Sequence, residues 1–199
     1  MIDAAVAAIH AGEPVILPTD TVYGLCCAPE SEPAVRRLSQ LKGRDAAQPI
    51  ALVARDVEEL LRRVPELDET LLRSVLPGAY TLVVPNPSRR FRWLGGARSD
   101  TIGVRVPALD GVAADVLGRV GAVAATSANA HGGPDPRRVE DVPPELRAAV
   151  AAVVDGGELP GTASTVVDYT GPEPRVLREG AGDVPRALGA LRAAGRRRE

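Results

Sequence analysis

Short apolar runs alternate with segments of helical spacing along most of this chain, and this alternation limits the fold more than any other feature. Residues 15–17, 50–53 and 102–106 have the length and the flanking turn residues of buried strands. Between them, residues 34–41 repeat apolar side chains at the spacing of one helix face. The last quarter of the chain has strand candidates without an intervening helix, at 153–154, 165–167 and 176–177. The pattern predicts an α/β fold with a twisted, mixed parallel and antiparallel sheet and flanking helices.

The length of 199 residues and the hydrophobic content of 45% are typical of one domain that buries a core without disulfides. We expect a single domain over residues 1–190 and a basic C-terminal tail over residues 191–199. No segment approaches the ~20 apolar residues of a membrane-spanning helix, and the N-terminus lacks the pattern of a signal peptide. We therefore expect a cytoplasmic protein without a membrane partner.

Counting residues excludes several common catalytic arrangements. Cys26 and Cys27 are adjacent, a spacing that suits neither a disulfide nor a zinc site, so we expect small buried strand residues there. The only lysine, Lys42, is followed by glycine rather than by Ser or Thr, which excludes a phosphate-binding P-loop. His10 and His131 lie on a predicted helix and in a predicted loop, which disfavours a zinc hydrolase.

Small polar residues lie where predicted strands end, the usual rim of a ligand site in a sheet protein. Thr19 and Thr21 follow the first strand, and Ser127 and Asn129 follow the strand before residues 130–134. Glycines in that last segment allow a phosphate to approach the backbone. The first pair is equally typical of an ordinary turn, so both interpretations stay open.

Isolated cations form a second kind of candidate site. Lys42 and Arg44 flank a glycine at the end of a predicted helix, where they can converge on a polyanion. Cations at a helix C-terminus are also favourable without any ligand. Arg105 lies among apolar residues in a predicted strand, where an unpaired guanidinium would be costly. It requires an anion, which either the protein or a ligand can supply.

Taken in order, these clusters resemble the YrdC-like family of L-threonylcarbamoyladenylate synthases. Segments 76–78, 161–167 and 176–180 add to the resemblance, which extends from about residue 4 to residue 182. The chain resembles the short, single-domain form of that family. The resemblance implies a YrdC-like fold, in which a mixed sheet with flanking helices surrounds a concave, positively charged cavity.

The resemblance also implies a reaction. A nucleotidyltransferase of this kind joins L-threonine, bicarbonate or CO2, and ATP with Mg²⁺ into threonylcarbamoyl-AMP and releases pyrophosphate. A downstream tRNA threonylcarbamoyl transferase then uses the product to form threonylcarbamoyladenosine in tRNA. Direct contact with tRNA is compatible with the family.

Site residues carry over from the family motifs. The catalytic set comprises Lys42, Arg44, Ser127 and Asn129, which form a Lys-x-Arg and a Ser-x-Asn motif. L-Threonine would contact Thr21, Arg105, Ala125 and Ser164. ATP would contact Lys42, Arg44, Gln48, Thr101, Ser127, Asn129, Asp135 and Arg178. The motifs name no metal ligand.

Two other functions remain open at this stage. A related enzyme of hydrogenase maturation uses a similar fold to form a carbamoyl adenylate. A tRNA-binding or double-stranded RNA-binding module would also use a concave basic surface. The net charge of −2 and the aromatic content of 3% weigh against the RNA-binding alternative, which is typical of basic proteins with stacking residues.

We predict that Arg44→Ala lowers the catalytic rate by about 10²–10³, the scale of losing one preorganised charge in a reaction site. Arg36→Ala, on the exposed face of the predicted helix, is the matched control and should change the rate little. Pyrophosphate release measures both variants. Equal effects of the two substitutions would contradict the assignment of Arg44.

Overall fold

A mixed β-sheet runs through the centre of the protein. The computed structural model describes residues 1–43, 45 and 47–196. Its strands are β1 (Val15–Leu17), β2 (Gly24–Cys27), β3 (Ala51–Ala54), β4 (Tyr80–Pro85), β5 (Thr101–Arg105), β6 (Ala122–Ser127), β7 (Ala152–Val153), β8 (Thr165–Asp168) and β9 (Arg175–Arg178). The helices are α1 (Ile2–His10), α2 (Glu32–Leu41), α3 (Val57–Arg63), α4 (Glu69–Val75), α5 (Gly111–Val120), α6 (Pro144–Ala148) and α7 (Val184–Gly195). Short 3₁₀ turns lie at Arg92–Leu94 and Val139–Asp141.

The strands lie in the spatial order β7-β1-β2-β6-β3-β5-β4-β8-β9. Three neighbouring pairs, β1 with β7, β3 with β5, and β4 with β8, are parallel. The other neighbours are antiparallel. The mixed sheet with flanking helices that the sequence predicts is therefore confirmed.

The two faces of the sheet are covered unequally. Leu52, Leu82 and Val104 point to one face, which α2, α3, α4 and α7 cover in the larger core cluster. Val53 and Val123 point to the other face, where α1 and α5 cover the strands β1, β2, β3 and β6. Because side chains alternate along a strand, the same face continues over β4, β5 and β8. There it borders an open cavity instead of a helix layer.

Side-chain caps begin four of the helices, α2, α3, α4 and α7. Ser31 Oγ accepts from Ala34 N at 3.3 Å at the start of α2. Asp56 caps α3 by accepting from Glu59 N at 2.6 Å. The Glu59 side chain does not complete a reciprocal capping box, because its buried carboxylate accepts from the guanidinium groups of α3.

Both cysteines are buried strand residues with free thiols, as expected. Burial raises the pKa of Cys27 to about 12 and also raises the pKa of Cys26. Since the thiolate is the reactive form, neither side chain is suited to nucleophilic chemistry.

The C-terminal boundary differs from the prediction. We expected a tail from residue 191, but α7 continues through Gly195, and Leu191 and Ala194 are buried against the core. The apolar spacing that begins at Ala187 simply continues past the predicted boundary. Residues 197–199 of the predicted tail lie outside the described residues. Within the described part of the chain, no helix is long and apolar enough to cross a membrane.

We predict that Leu191→Ala lowers the free energy of unfolding by about 2–5 kcal/mol, because the fully buried side chain leaves a cavity in the core. Arg192→Ala is the matched control, since the neighbouring exposed side chain pairs with Glu173 at the surface, and its effect should stay within about 0.5 kcal/mol. Urea denaturation measures both. Equal stability of the two variants would show that the end of α7 contributes nothing to the core.

Candidate functional site

A cavity of about 270 Å³ lies on the uncovered part of the sheet. Alternate residues of three central strands form its floor: Ala51, Val53, Thr81, Val83, Gly103 and Arg105. Ala125, Ser127, Ser164 and Arg178 line the walls. Most of the floor is small and apolar, with Thr81 and Arg105 as its polar members, and the walls add further hydroxyl and cationic groups. The shape suits a small polar ligand that extends towards a charged rim.

Lys42 is the C-cap of α2, and its side chain is buried beside the end of β6. Its Nζ donates to the carbonyl oxygen of Ser127 at 2.7 Å and to Asn129 Oδ1 at 2.8 Å. The hydroxyls of Ser127 and Thr126 lie 3.2 and 3.4 Å from the same ammonium. The structure thus brings together Lys42, Ser127 and Asn129, three of the four predicted catalytic residues. The fourth, Arg44, lies outside the described residues.

The loop after β6 holds Asn129 in the orientation that Lys42 requires. Asn129 Oδ1 accepts from Ser127 Oγ at 2.7 Å, and Asn129 Nδ2 donates to the Gly133 carbonyl at 2.7 Å. Gly133 N in turn donates to the Ala130 carbonyl at 2.9 Å and closes a tight turn. The amide is therefore fixed at both ends before any ligand arrives.

The segment that follows Lys42 rests on the loop before β5. Ile50 N donates to the Leu94 carbonyl at 2.9 Å, and Ala97 N donates to the Ala47 carbonyl at 2.8 Å. Gly96 has a φ of +60°, and a Cβ there would lie 2.1 Å from the Ala47 oxygen, so only glycine allows this approach. The loop supports one rim of the cavity.

Arg105 points from β5 into the cavity and is nearly buried. One terminal nitrogen donates to the Asp20 carboxylate and to Thr21 Oγ1, the latter at 2.9 Å. Burial lowers the pKa of the guanidinium, and the Asp20 charge acts in the opposite direction. The protein therefore supplies the anion that the sequence required. Among the residues described, Arg105 Nε is buried without a hydrogen-bond partner, which is costly.

A β-bulge places Arg178 on the cavity side of the edge strand. In a regular ladder Leu177 would lie opposite Val166, and Arg178 would lie opposite Thr165 on the other face. The bulge removes Leu177 from the ladder and pairs Arg178 with Val166, which lines the cavity. The guanidinium then donates to the Ser164 carbonyl at 2.8 and 3.1 Å.

The remaining predicted residues are spread around this cavity. Ala125 lines it, whereas Thr21 is fully buried behind it and Thr19 lines the wall instead. The Thr101 hydroxyl donates to the Arg98 carbonyl at 3.0 Å. Gln48 and Asp135 are half-buried and lie outside the cavity lining. The structure thus groups the threonine-contacting candidates closely, apart from Thr21, and the ATP-contacting candidates more loosely.

Of the cavity floor, sequence reasoning identified only Arg105, and the residues that it missed include Thr81 and Gly103. The sequence gives a weak indication of both, because each interrupts an apolar strand at a position whose side chain points to the face opposite the larger core cluster. Neither interruption identifies a site without the sheet register, which places both residues on one face.

Tyr23 fixes the loop that leads to Ser164. Its hydroxyl lies 3.0 Å from Asp155 Oδ1 and 2.7 Å from the Gly157 carbonyl, and it accepts from Gly156 N at 3.0 Å. Burial raises the pKa of Tyr23 to about 12. Since Tyr23 N also donates to the Pro136 carbonyl at 3.0 Å, one residue connects both loops that border the cavity.

Comparison with known proteins assigns the family. The family model described as telomere recombination, which covers Sua5, YciO and YrdC proteins, matches residues 7–180. The chain belongs to this Sua5, YciO and YrdC family. A Mycobacterium tuberculosis relative is 39% identical over 181 residues, which cover 88% of this chain and 82% of that protein. A Stenotrophomonas maltophilia relative named threonylcarbamoyl-AMP synthase is 34% identical over 160 residues, with 78% of this chain and 86% of that protein covered.

The solved structure of Pyrococcus abyssi Sua5 complexed with L-threonine has the same fold as this family member. The TM-score is 0.87 and the identity is 33%, and the match covers 96% of this chain. The chain spans 57% of the Pyrococcus abyssi chain. Over residues 1–43, 45 and 47–196, no three His, Cys, Asp or Glu side chains are grouped so as to hold a metal ion.

We predict a pH dependence that reports on Tyr23. The raised pKa of about 12, against 10.0 in an unperturbed tyrosine, means that the folded state holds this proton more tightly. The free energy of unfolding therefore falls as the pH rises from about 10 towards about 12, and Tyr23→Phe should reduce that fall. Urea denaturation across this range measures it, with Tyr169→Phe as the control. An unchanged slope in Tyr23→Phe would contradict the prediction.

Proposed function

We propose that this chain forms threonylcarbamoyl-AMP and pyrophosphate from L-threonine, bicarbonate or CO2, and ATP. The observation that carries the proposal is the Lys42 ammonium, which Ser127 and Asn129 hold next to a cavity lined by Ser127, Arg105 and Ser164. A cationic rim suits phosphates, and the small cavity behind it suits an amino acid. Membership of the family and the names of its relatives support the same reaction.

The amino-acid end of the site is proposed to be the cavity itself. The guanidinium of Arg105, which lines the cavity, is a donor for the threonine carboxylate. Ala125 and Ser164 line the same space, and Ser164 offers a hydroxyl. Thr21 is a positioning residue in this proposal, because its hydroxyl accepts from Arg105 rather than bordering the cavity.

The nucleotide end is proposed to lie around the rim. Lys42, Arg44, Ser127 and Asn129 would contact the phosphates there. Arg178, Gln48, Thr101 and Asp135 complete the proposed ATP set, and Arg178 supports it by pointing to the cavity side of the sheet. Mg²⁺ would accompany the ATP phosphates, since this ion is normally held by phosphates, water and one or two carboxylates. When bound, it would neutralise charge on the leaving pyrophosphate.

The proposed reaction requires few catalytic groups from the side chains. Once the threonine amine has become a carbamate, a carbamate oxygen attacks the α-phosphorus while the bond to the β-phosphate oxygen breaks. That nucleophile is already an anion, so the step requires no histidine base. The protein must instead hold two anions together and stabilise the developing charge on pyrophosphate, which Lys42 and Arg44 are suited to do.

In this proposal the product is consumed by a tRNA threonylcarbamoyl transferase, which places both proteins in the cytoplasm with their tRNA. Direct contact between this chain and tRNA belongs to the proposal as a further partner. In the carbamoyl adenylate alternative, an unsubstituted carbamoyl group would be adenylated at the same cavity in place of the threonylcarbamoyl group.

We predict that pyrophosphate release from ATP and Mg²⁺ requires both L-threonine and bicarbonate and is lost in Lys42→Ala, because the ammonium stabilises the phosphates. Arg36→Ala is the control, since its side chain pairs with Glu32 on the exposed face of α2. Release of pyrophosphate without threonine would favour carbamoyl adenylation. No release, together with salt-dependent binding of tRNA, would replace the proposal with an RNA-binding function.

A further inference from the structure

Five hydroxyl groups border the cavity, and three of them are used by the protein itself. The five belong to Thr19, Thr81, Thr126, Ser127 and Ser164. Thr19 Oγ1 closes a turn by donating to the Val22 carbonyl at 2.7 Å and accepting from two backbone amides. The Thr126 and Ser127 hydroxyls face Lys42 Nζ. Thr81 and Ser164 therefore remain as the pair that can contact a ligand.

Thr81 and Ser164 contact each other across the neighbouring strands β4 and β8. Their oxygens are 2.9 Å apart, and both residues are buried. A methyl group on Gly103 would lie 3.7 Å from Thr81 Cγ2, so the Thr81 methyl faces β5. The hydroxyl of the same side chain faces β8. Packing on both sides thus sets the orientation of the Thr81 hydroxyl.

The two hydroxyls have one proton more than their mutual contact uses. Each carries one proton, and only one can lie between the two oxygens. Arg178 lies 3.3 Å from Ser164 Oγ and, as a guanidinium, can only donate. Among the residues described, neither hydroxyl has another acceptor within hydrogen-bond distance. The pair therefore presents one O–H donor and free lone pairs to the cavity.

We infer that Thr81 is a further specificity-determining residue, which together with Ser164 binds the side-chain hydroxyl of the amino-acid substrate. This inference rests on the proposed function, because it concerns the same cavity. A neutral pair that donates once and also accepts is complementary to a hydroxyl, which does the same. A carboxylate only accepts and is better matched by the guanidinium of Arg105, which lines the same cavity.

The surroundings of the pair leave space for a small β-branched side chain. Gly103 has no side chain, and its Cβ position meets only ordinary contacts at 3.7 and 3.8 Å. Val83 and Val166 border the same floor and are apolar. A substrate methyl would contact these residues while its hydroxyl contacts Thr81 and Ser164. An analogue without the hydroxyl would leave the buried pair without its partner, which is costly.

We predict that Thr81→Val lowers kcat/KM for L-threonine by about tenfold and leaves kcat/KM for L-2-aminobutyrate nearly unchanged. The substitution keeps the branched shape of the Thr81 side chain and removes only its hydroxyl. L-2-Aminobutyrate is L-threonine without the substrate hydroxyl. Pyrophosphate release with each amino acid measures both values. Thr81→Ser, which retains the hydroxyl, should keep the preference for threonine.

Two further measurements separate this inference from the proposed function. The effects of Thr81→Val and Ser164→Ala should be less than additive, because the two residues act on one group. Calorimetry should show weaker binding of L-threonine to Thr81→Val than to the unmodified protein. Equal losses for both amino acids, or no loss, would overturn the role of Thr81 while leaving the reaction in place. An unmodified protein that neither binds threonine nor releases pyrophosphate would overturn both proposals.

Discussion

The unequal covering of the sheet is the constraint on which the rest of the structure depends. Four helices bury one face completely, whereas α1 and α5 bury only half of the other. The remaining half, over β4, β5 and β8, must carry side chains that tolerate both neighbouring strands and solvent. Small residues, threonines and arginines occupy it, and Val53 marks the point where the helix-covered part meets the cavity. A site therefore forms where the sheet is left open, and no separate domain is needed to build it.

Much of this architecture could be predicted from local patterns. Strands such as β1, β3 and β5 and the helix α2 follow from apolar spacing. The predicted boundary between the domain and the tail, at residue 191, is wrong. The arginines near residue 196 suggest a tail, but Leu191 and Ala194 continue the buried face of α7. Tertiary packing decides that boundary, since burial of two side chains outweighs the polar composition around them.

The site shows where local patterns stop being sufficient. Lys42 and Asn129 are separated by 87 residues and meet through the position of α2 beside β6, which no single segment encodes. The side on which Arg178 lies depends on one bulge at Leu177, and simple alternation predicts the opposite face. The floor residues Thr81 and Gly103 can be assigned to the cavity only when the register of β4, β5 and β8 is known. Pairing between distant strands is the information that the sequence pattern lacks.

The hydroxyl residues illustrate the same limit in chemical terms. A threonine at a strand end can close a turn, hold a cation or contact a ligand, and its sequence context is similar in all three cases. Thr19 and Thr21 differ by two positions, yet one closes a turn at the wall while the other supports Arg105 behind it. Which hydroxyl contacts a ligand follows from what remains after the backbone and the buried cations have been satisfied. In this fold that remainder is the neutral pair of Thr81 on the floor and Ser164 on the wall. It lies beside cations that are already held in place, so charge and hydroxyl recognition are assigned to different parts of one cavity.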